Sequence, residues 1–332
     1  MDLARKSVLV TGADGFIGSH LTEALYPKCG KLSALCCYNP FNSYGNLDES
    51  AKDLKGVNFI TGDVRDPFFC SEICKSVDVI FNLAALIAIP YSYIAPQSYI
   101  ETNVTGAVNI CQAALRNGAQ RVIQMSTSEV YGTAEYAPMD ELHPLKPQSP
   151  YSASKIGADS VALSHWYSFG LPVIIARPFN AYGPRQSARA FVPTVAAQIA
   201  SGAKQVALGD VTPTRDMNYV GDICGALIAV SECDAAPGEV INIGSGVETS
   251  VGDLFHMIRD AMEANDVEIV IDERRIRPKE SEVFRLVCDN RKLKRLTGFA
   301  QNYTLAEGLK KTVEWFLEYE NLRRYKPGVY NI

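Results

Sequence analysis

The chain has 332 residues, of which 47% are apolar and 21% are charged, and its formal net charge is −5. This length and composition fit a globular protein of one large domain or two modest ones. We expect neither a nucleic-acid nor a membrane partner, because the sequence contains no dense lysine and arginine block and no apolar run approaching the ~20 residues that cross a bilayer. Residues 1–7 lead into an apolar segment without a signal-peptide pattern, so we expect a cytoplasmic protein.

The cysteines do not form a pattern typical of disulfides or metal sites. There are nine of them, scattered mostly through apolar runs, and no C-x-x-C occurs. Cys70 and Cys74 are one helical turn apart, but no second pair and no cluster of histidines accompanies them. The sequence therefore predicts buried, reduced thiols and no metal site.

The chain opens with a predicted strand at residues 7–10 and a turn that contains Gly12, Gly15 and Gly18. A helical pattern follows to about Tyr26. Glycines in a turn between a strand and a helix let the backbone approach a pyrophosphate, and the helix N-terminus favours the anion. The G-x-x-G-x-x-G spacing in this position therefore predicts a dinucleotide site.

Strands and helices alternate through the first half of the chain. Further strands are predicted at residues 31–38, 57–60, 77–83, 121–125 and 171–176, and helical segments between them include residues 96–117. This alternation predicts a parallel, doubly wound sheet with right-handed crossovers.

The pattern changes after residue 179. We predict a helix near residues 192–201, strands at 206–208, 239–243 and 267–271, and an amphipathic helix at 305–320. We therefore expect a dinucleotide-binding domain at residues 1–179, to which later segments return, and a smaller α/β substrate domain, mainly residues 180–332. The active site should lie in the cleft at the carboxyl ends of the parallel strands.

Two short segments carry the candidate chemistry. Residues 126–132 follow the predicted fifth strand, and Tyr151 and Lys155 lie four residues apart at the start of a helix. The phenol of a tyrosine has an ordinary pKa of ~10, and a cation beside it would lower that pKa. An isolated pair of this kind is more often a surface tyrosine and lysine on an amphipathic helix. The neighbouring motifs favour a catalytic interpretation.

Taken together, these motifs resemble the extended short-chain dehydrogenases/reductases that act on nucleotide sugars, which have a Rossmann-type doubly wound sheet. The resemblance rests on the glycine turn and on residues 63–64, 82–85, 126–132, 151–155 and 177–180. Other segments resemble the bacterial NAD-dependent 4,6-dehydratases of the legionaminic acid pathway, which act on a nucleotide-linked N-acetylglucosamine. These segments are residues 12–20, 38–43, 84–93, 183–190, 213–219, 275–283 and 330–332.

The resemblance implies roles for individual residues. NAD would be bound by Gly12, Gly15, Phe16, Ile17, Gly18, Tyr38, Asn39, Asp63, Val64, Leu83, Ala84, Ala85, Tyr151 and Lys155. The nucleotide diphosphate of the substrate would contact Asn180, Arg185, Arg189, Arg215 and Arg277. Guanidinium groups suit phosphate oxygens, although any one of these arginines could instead be a surface residue or part of a structural ion pair.

The implied catalytic set is Thr127, Ser128, Glu129, Tyr151 and Lys155. Tyr151 would be the acid/base, Lys155 would hold the nicotinamide ribose, and Thr127 would contact the 4-hydroxyl of the sugar. Ser128 and Glu129 occupy the positions of the elimination acid and base. Glucose 4,6-dehydratases carry aspartate in place of Ser128, whereas Thr-Ser-Glu also occurs in mannose 4,6-dehydratases and in glucuronate decarboxylases.

The end of the second predicted strand departs from many NAD-specific relatives. Residues 35–39 contain no acid to bind ribose hydroxyls and no arginine for a 2′-phosphate. We expect NAD because no cation is evident there, and NADP remains open.

These features predict a 4,6-dehydratase that acts on a nucleotide-linked N-acetylglucosamine, with uridine favoured as the carrier over guanosine. The alternatives are a 4-epimerase or a glucuronate decarboxylase of the same family. A non-catalytic binding protein is disfavoured because Thr127, Tyr151 and Lys155 are all present. We also expect a homodimer, since the helices at residues 96–117 and 151–170 carry apolar residues on more than one face. Those residues are Val104, Val108, Ile110, Val161, Leu163 and Trp166.

Overall fold

The computed structural model describes residues 1–276 and 278–329, and within them the main feature is a seven-stranded parallel sheet. The fourteen strands of this described part are β1 Ser7–Thr11, β2 Lys31–Cys37, β3 Asn58–Gly62, β4 Val79–Asn82, β5 Arg121–Met125, β6 Val173–Pro178, β7 Ala181–Tyr182, β8 Gln205–Leu208, β9 Thr214–Arg215, β10 Asn218–Tyr219, β11 Val240–Ile243, β12 Thr249–Ser250, β13 Glu268–Ile271 and β14 Arg285–Leu286. The large sheet has the order β11-β6-β5-β4-β1-β2-β3. The predicted doubly wound parallel sheet is confirmed.

The α-helices alternate with these strands through the first half of the chain. They are α1 Phe16–Leu25, α2 Pro67–Ile73, α3 Ile89–Ile94, α4 Pro96–Tyr99, α5 Gly106–Asn117, α6 Pro150–Phe169, α7 Phe191–Ala200, α8 Val220–Glu232, α9 Val251–Ala261, α10 Arg291–Thr297, α11 Leu305–Leu317 and α12 Tyr319–Leu322. A π-helical segment, Ile100–Thr105, joins α4 to α5, so the predicted helix at residues 96–117 is three consecutive pieces.

The remaining strands form small sheets beside the large one. β7 pairs with β10 and β8 with β13, in parallel, and β9 lies between β12 and β14. A cluster of buried apolar residues from α7, α9 and α11 packs with β8 in this region. All of these elements follow β6 in the chain.

Two apolar clusters cover the two faces of the large sheet. One contains Val8 and Val10 of β1 together with much of α8, and the other contains Leu9 with Ile110 of α5. Side chains on successive strand residues point to opposite faces, which explains why neighbouring residues of β1 belong to different clusters. Helix α8 and strand β11 thus return to the large sheet after the chain has left it.

The structure also shifts some predicted boundaries. The sixth strand covers Val173–Pro178 rather than residues 171–176, and the last long helix ends at Leu317 rather than at residue 320. The segment at residues 239–243, predicted after the change in pattern, is the edge strand of the large sheet and pairs with β6. The four residues of β11 carry no turn or length signal that distinguishes a strand of the large sheet from one of a small sheet.

Asp216 holds together distant parts of the chain that follows β6. Its fully buried carboxylate accepts hydrogen bonds from the backbone N–H groups of Ser245 (3.0 Å), Gly246 (2.8 Å) and Cys288 (3.1 Å). The Ser245 hydroxyl donates a further bond of 2.6 Å, and the Asn218 amide donates one of 3.0 Å. One carboxylate therefore satisfies donors from three separate loops.

Replacing this carboxylate should destabilise the fold. We expect Asp216→Ala to lower the free energy of unfolding by at least ~3 kcal/mol, because several buried donors lose a charged acceptor together. Thermal unfolding followed by circular dichroism measures the change. Asp210→Ala is the control, since Asp210 is exposed and its carboxylate bonds only within its own turn, to Thr212. Equal melting temperatures for the two variants would contradict the role of Asp216.

Candidate active site

Polar side chains join the carboxyl ends of the central strands. The Thr11 hydroxyl donates to Asn82 Oδ1 (2.7 Å), and the Asn82 amide donates to Gln124 Oε1 (2.8 Å). The Thr11 oxygen also accepts from the backbone N–H groups of Leu83 and Ala84, both at 3.1 Å. These bonds fix the segment after β4 against the turn after β1.

The turn after β1 has the close backbone approaches that a pyrophosphate site requires. A Cβ atom added at Gly18 would lie 2.0 Å from the carbonyl oxygen of Gly12, and one added at Gly12 would lie 2.9 Å from the backbone of Ala84. Helix α1 begins at Phe16, and no side chain caps its N-terminus at Gly15. The free N–H groups of this first turn favour an anion, so the residues present fit the pyrophosphate of a dinucleotide.

These contacts bring together most of the predicted cofactor residues at the glycine turn. Gly12, Gly15 and Gly18 form the turn, Phe16 and Ile17 begin α1, and the half-buried residues Leu83, Ala84 and Ala85 face the turn from the end of β4.

The predicted adenosine-binding residues lie at the ends of β2 and β3. These strands pair with Cys37 opposite Gly62, and the Tyr38 N–H donates to the Gly62 carbonyl at 3.2 Å, so Tyr38 and Asp63 are close. Tyr38 is 70% exposed, whereas Val64 is buried and its carbonyl accepts from the Asn109 amide at 3.0 Å. The exposed Tyr38 and the half-buried Asp63 thus lie beside the buried Val64.

The side chain of Asn39 is occupied within its own loop. Its amide donates to the carbonyls of Cys37 (3.2 Å) and Ser43 (2.8 Å), and its oxygen accepts from the N–H groups of Phe41 and Ser43, both at 3.1 Å. The structure therefore uses Asn39 to shape the loop after β2.

The residues at the end of β2 provide no cation themselves, but one belongs to the neighbouring strand. Arg65 follows β3, which is the neighbour of β2. Burial and the charges of Asp14 and Asp63 raise the pKa of the Cys37 thiol, and the charge of Arg65 lowers it. The guanidinium binds Asp63, with Nε 2.9 Å from Oδ2, and lies 3.7 Å from Glu101. The linear sequence hid this cation because it belongs to the adjacent strand.

Thr127, Glu129 and Tyr151 come together at the end of β5. A short 3₁₀ helix, Ser128–Tyr131, begins after Thr127, whose hydroxyl accepts from the Glu129 N–H at 3.2 Å. Burial raises the pKa of the Tyr151 phenol, a hydrogen bond with Thr127 lowers it, and the nearby charge of Glu129 raises it. Ser128 is buried in the same turn, at 2% exposure. A tyrosine, a hydroxyl and a carboxylate therefore share one site.

Lys155 lies one helical turn after Tyr151 on α6. Its ammonium donates to the Met125 carbonyl at 2.6 Å, and its side chain is buried. Burial lowers the pKa of Lys155 to about 8, and the negative charge of Asp159 raises it. The helix itself is fixed at its start, where the Ser149 hydroxyl and Ser152 form a capping box.

A buried ion pair lies one turn further along α6. Asp159 Oδ2 accepts from the Ser126 hydroxyl (2.6 Å) and from Arg177 Nε (3.1 Å) and Nη2 (3.0 Å). Arg177 also donates to the Tyr131 hydroxyl at 3.1 Å, which donates to Asn242 Oδ1 at 2.8 Å. This network connects the catalytic helix to β5, β6 and β11. The sequence analysis missed it, although Asp159 has the four-residue spacing from Lys155 that places both on one helix face.

Among the predicted substrate arginines, Arg189 has a charge that acts on Tyr99, a neighbour of Tyr151. Burial raises the pKa of the Tyr99 phenol to about 12, and the charge of Arg189 lowers it. The ring of Tyr99 contacts that of Tyr151 edge-on, with centroids 6.2 Å apart. Asn180, also predicted, has a buried side-chain oxygen that accepts no hydrogen bond from the described residues.

Two other predicted substrate arginines have carboxylate partners. Arg185 lies 2.9 Å from Glu23 of α1, which holds it against that helix. Arg215 lies 3.2 Å from Glu282 and also donates to the Thr214 carbonyl at 2.9 Å. Arg277 lies outside the described residues, as do residues 330–332.

The described residues also bear on membrane crossing and metal binding. None of their helices is long and apolar enough to cross a membrane. Within residues 1–276 and 278–329, no group of three or more histidine, cysteine, aspartate or glutamate side chains is placed to hold a metal ion.

The glycine turn of the large sheet, together with Tyr151 and Lys155 on α6, defines an extended short-chain dehydrogenase/reductase. A family model described as GDP-mannose 4,6 dehydratase matches residues 9–312, and the chain belongs to that family.

Similar proteins include enzymes with two kinds of activity. A dTDP-glucose 4,6-dehydratase of Streptomyces antibioticus is 32% identical over 331 residues, which is 97% of each chain. The crystal structure of DesIV, a dTDP-glucose 4,6-dehydratase from Streptomyces venezuelae with NAD bound, has a TM-score of 0.85 at 30% identity and covers 97% of this chain and 99% of that one. A UDP-N-acetylglucosamine 4-epimerase from Methanobrevibacter ruminantium has a TM-score of 0.84 at 30% identity, with coverage of 95% and 99%.

Removing Arg177 from the buried ion pair should destabilise the protein. We expect Arg177→Met to lower the free energy of unfolding by about 3–5 kcal/mol, because the Asp159 carboxylate is left buried without its cation. Urea denaturation measures the loss. The matched control is Arg285→Met, whose partner Glu248 and own side chain are partly exposed, so that a loss of about 0–1 kcal/mol is expected. The interpretation fails if the two variants lose the same stability.

Proposed function

We propose that this protein is an NAD-dependent nucleotide-sugar 4,6-dehydratase of the cytoplasm. Its substrate would be a nucleotide-linked N-acetylglucosamine, with uridine as the favoured carrier, and its product the 4-keto-6-deoxy sugar. Such a product fits a step towards legionaminic acid, a sialic-acid-like sugar. The observation that carries the proposal is the placement of the Glu129 carboxylate beside the Thr127–Tyr151 pair.

NAD is the cofactor that this proposal requires, and the site fits it. The glycine turn would hold its pyrophosphate. Lys155 of α6, whose ammonium group lies at the end of β5, would hold the nicotinamide ribose. The chemistry that bound NAD would supply is hydride transfer from carbon 4 of the sugar and, later, back to carbon 6. The cofactor leaves the cycle unchanged, so tight binding without exchange suits the reaction.

Tyr151 and Thr127 act on the 4-hydroxyl of the sugar in this proposal. Thr127 orients the hydroxyl, and Tyr151 takes its proton as the 4-ketone forms. Burial raises the pKa of Tyr151, so a stabilising charge is needed for the phenolate. A protonated Lys155 on the same helix face supplies that charge.

Glu129 distinguishes a dehydratase from an enzyme that only oxidises and reduces carbon 4. A 4-ketone acidifies the hydrogen on carbon 5, and a carboxylate at this position can remove it. Ser128, or a water that it positions, would assist departure of the 6-hydroxyl as water. Each positioned acid or base of this kind contributes about 10²–10⁴-fold to the rate.

A 4-epimerase, or a glucuronate decarboxylase, is the second candidate. Serine stands at position 128, and a hydroxyl is a weaker acid than a carboxylic acid. The structural similarity to a UDP-N-acetylglucosamine 4-epimerase points in the same direction. Neither reaction expels the 6-hydroxyl, so the products separate the candidates.

Incubation in deuterated water with a panel of nucleotide sugars tests the proposal. A dehydratase gives a product lighter by one water that carries one deuterium at carbon 5, because the hydrogen removed by Glu129 exchanges with solvent. An epimerase gives a product of unchanged mass without solvent deuterium, and a decarboxylase loses carbon dioxide. Either of the last two results would overturn the proposed activity.

Replacing Glu129 isolates the elimination step. Glu129→Gln keeps the shape of the side chain but removes the base, so we expect turnover to fall about 10²–10⁴-fold while substrate affinity stays nearly constant. Mass spectrometry of the product and calorimetric titration with the substrate measure the two quantities. Glu135→Gln, at an exposed position nearby, is the control. If Glu129→Gln turns over at the wild-type rate, the carboxylate has a structural role only.

A homodimer is part of the proposal, through the helical face of α5 and α6. Ile110 is fully buried, and Leu163 and Trp166 pack against the core, so these three do not contribute to that face. Val104, Val108 and Val161 are half-buried, and the adjoining Ile100 is 44% exposed. A second copy placed on this face would cover them.

Sedimentation at micromolar concentration should show a dimer for the wild-type protein. Val108→Glu places a charge within the proposed contact and should shift the protein towards a monomer with unchanged circular dichroism. Val270→Glu, at a 41% exposed position on β13, should leave the dimer intact. A monomeric wild-type protein would contradict this assembly.

A further inference from the structure

The turn after β1 brings an acidic residue to the end of β2. The Ala13 N–H donates to the Leu35 carbonyl at 2.9 Å, which ties the turn to the neighbouring strand. The next residue is Asp14: burial raises the pKa of its carboxyl group, and the backbone N–H groups of Asp14 itself and of Cys37, the last residue of β2, lower it. A carboxylate therefore stands where the sequence of β2 itself provides none.

Asp14 is held in this place from its other side as well. Its carbonyl accepts from the Asn46 N–H at 3.1 Å. Gly45 adopts a positive φ of 60°, and a Cβ atom added there would lie 2.9 Å from the Asp14 Cβ. The loop between β2 and β3 thus packs directly on Asp14. The residue remains half-buried, so its carboxylate is within reach of a ligand.

The order of groups along this edge matches the order of groups in a dinucleotide. The glycine turn after β1 fits the pyrophosphate, and Asp63 and Val64 after β3 are the predicted adenine neighbours. Asp14 lies between them, at the end of β2, where the adenosine ribose would be. A carboxylate has about four acceptor positions, so the half-buried Asp14 side chain can accept hydrogen bonds from ribose hydroxyls.

The charges around this position disfavour an additional phosphate. Three charged groups act on the Cys37 thiol: Asp14 and Asp63 raise its pKa, and Arg65 lowers it. Arg65 is already bound to Asp63 by two nitrogens and lies near Glu101. A phosphate on the ribose 2′-oxygen would therefore meet the Asp14 carboxylate rather than an available cation.

We propose that Asp14 binds the hydroxyls of the adenosine ribose of NAD and excludes the 2′-phosphate of NADP. In many dinucleotide folds, an acidic residue at the end of the second strand has this role. Here the first turn supplies the acid instead. The inference rests on the cofactor assigned under the proposed function, and it concerns the specificity of that same site.

Equilibrium titration of cofactor-stripped protein with NAD and with NADP tests the assignment without any sugar. We expect Asp14→Asn to weaken NAD binding about 10- to 100-fold, the loss of hydrogen bonds to a charged group. The same variant should bind NADP no more weakly than the wild-type protein, so the preference for NAD shrinks by a similar factor. Asp14→Ala should behave alike and serves as the second variant if one of them does not fold.

Asp53→Asn is the matched control, because Asp53 is an exposed carboxylate of the same β2–β3 segment. It should leave both affinities unchanged. An Asp14 variant that binds NAD and NADP as the wild-type protein does would overturn the assignment, as would equal weakening for both nucleotides. Failure of the dehydratase reaction would leave this test valid, since no step of sugar chemistry enters the titration.

Discussion

The packing of α6 on the large sheet depends on an ion pair that is buried between them. Asp159 and Arg177 are each at most 4% exposed, and an unpaired charge at such a depth would be very unfavourable. Each group is therefore stable at this depth only when the other is present. Asp159 also bonds to Ser126, and Arg177 to Tyr131, and these bonds fix the orientation of the pair. Helix α6 can pack on the sheet in one register only, the one in which Asp159 meets Arg177.

That register determines the positions of the reacting groups. Lys155 lies one turn before Asp159 on α6 and reaches the Met125 carbonyl at the end of β5. Tyr151 lies a further turn towards the helix start and meets Thr127, two residues beyond Met125. In the proposed reaction the helix supplies an acid/base and a cation, and the segment after β5 supplies hydroxyls and a carboxylate. A rigid element on each side is what a precisely positioned proton transfer needs.

Local patterns were sufficient to predict most of the strands and helices and the candidate residues that the structure brings together. The glycine turn, the alternating strands and the spacing of Tyr151 and Lys155 are properties of short segments, and the structure agrees with the predicted sheet and brings these groups to one edge. The residues that were missed act between segments. Arg65 and Asp14 reach the end of β2 from neighbouring strands, and Ile110 turned out to face the core. Such relations follow from strand order and helix rotation, which one sequence does not specify.

Strand β11 has a consequence for synthesis of the chain on the ribosome. It pairs with β6 at the border of the large sheet, yet it follows β6 by about sixty residues of other structure. Until Ile243 has emerged, the apolar β6 presents its unpaired backbone groups at an open edge, which is a template for association with another chain. At ~5–20 residues per second the interval lasts several seconds. The nascent protein therefore passes through a stage in which that edge is open to other chains, and a chaperone that covers it would prevent such association.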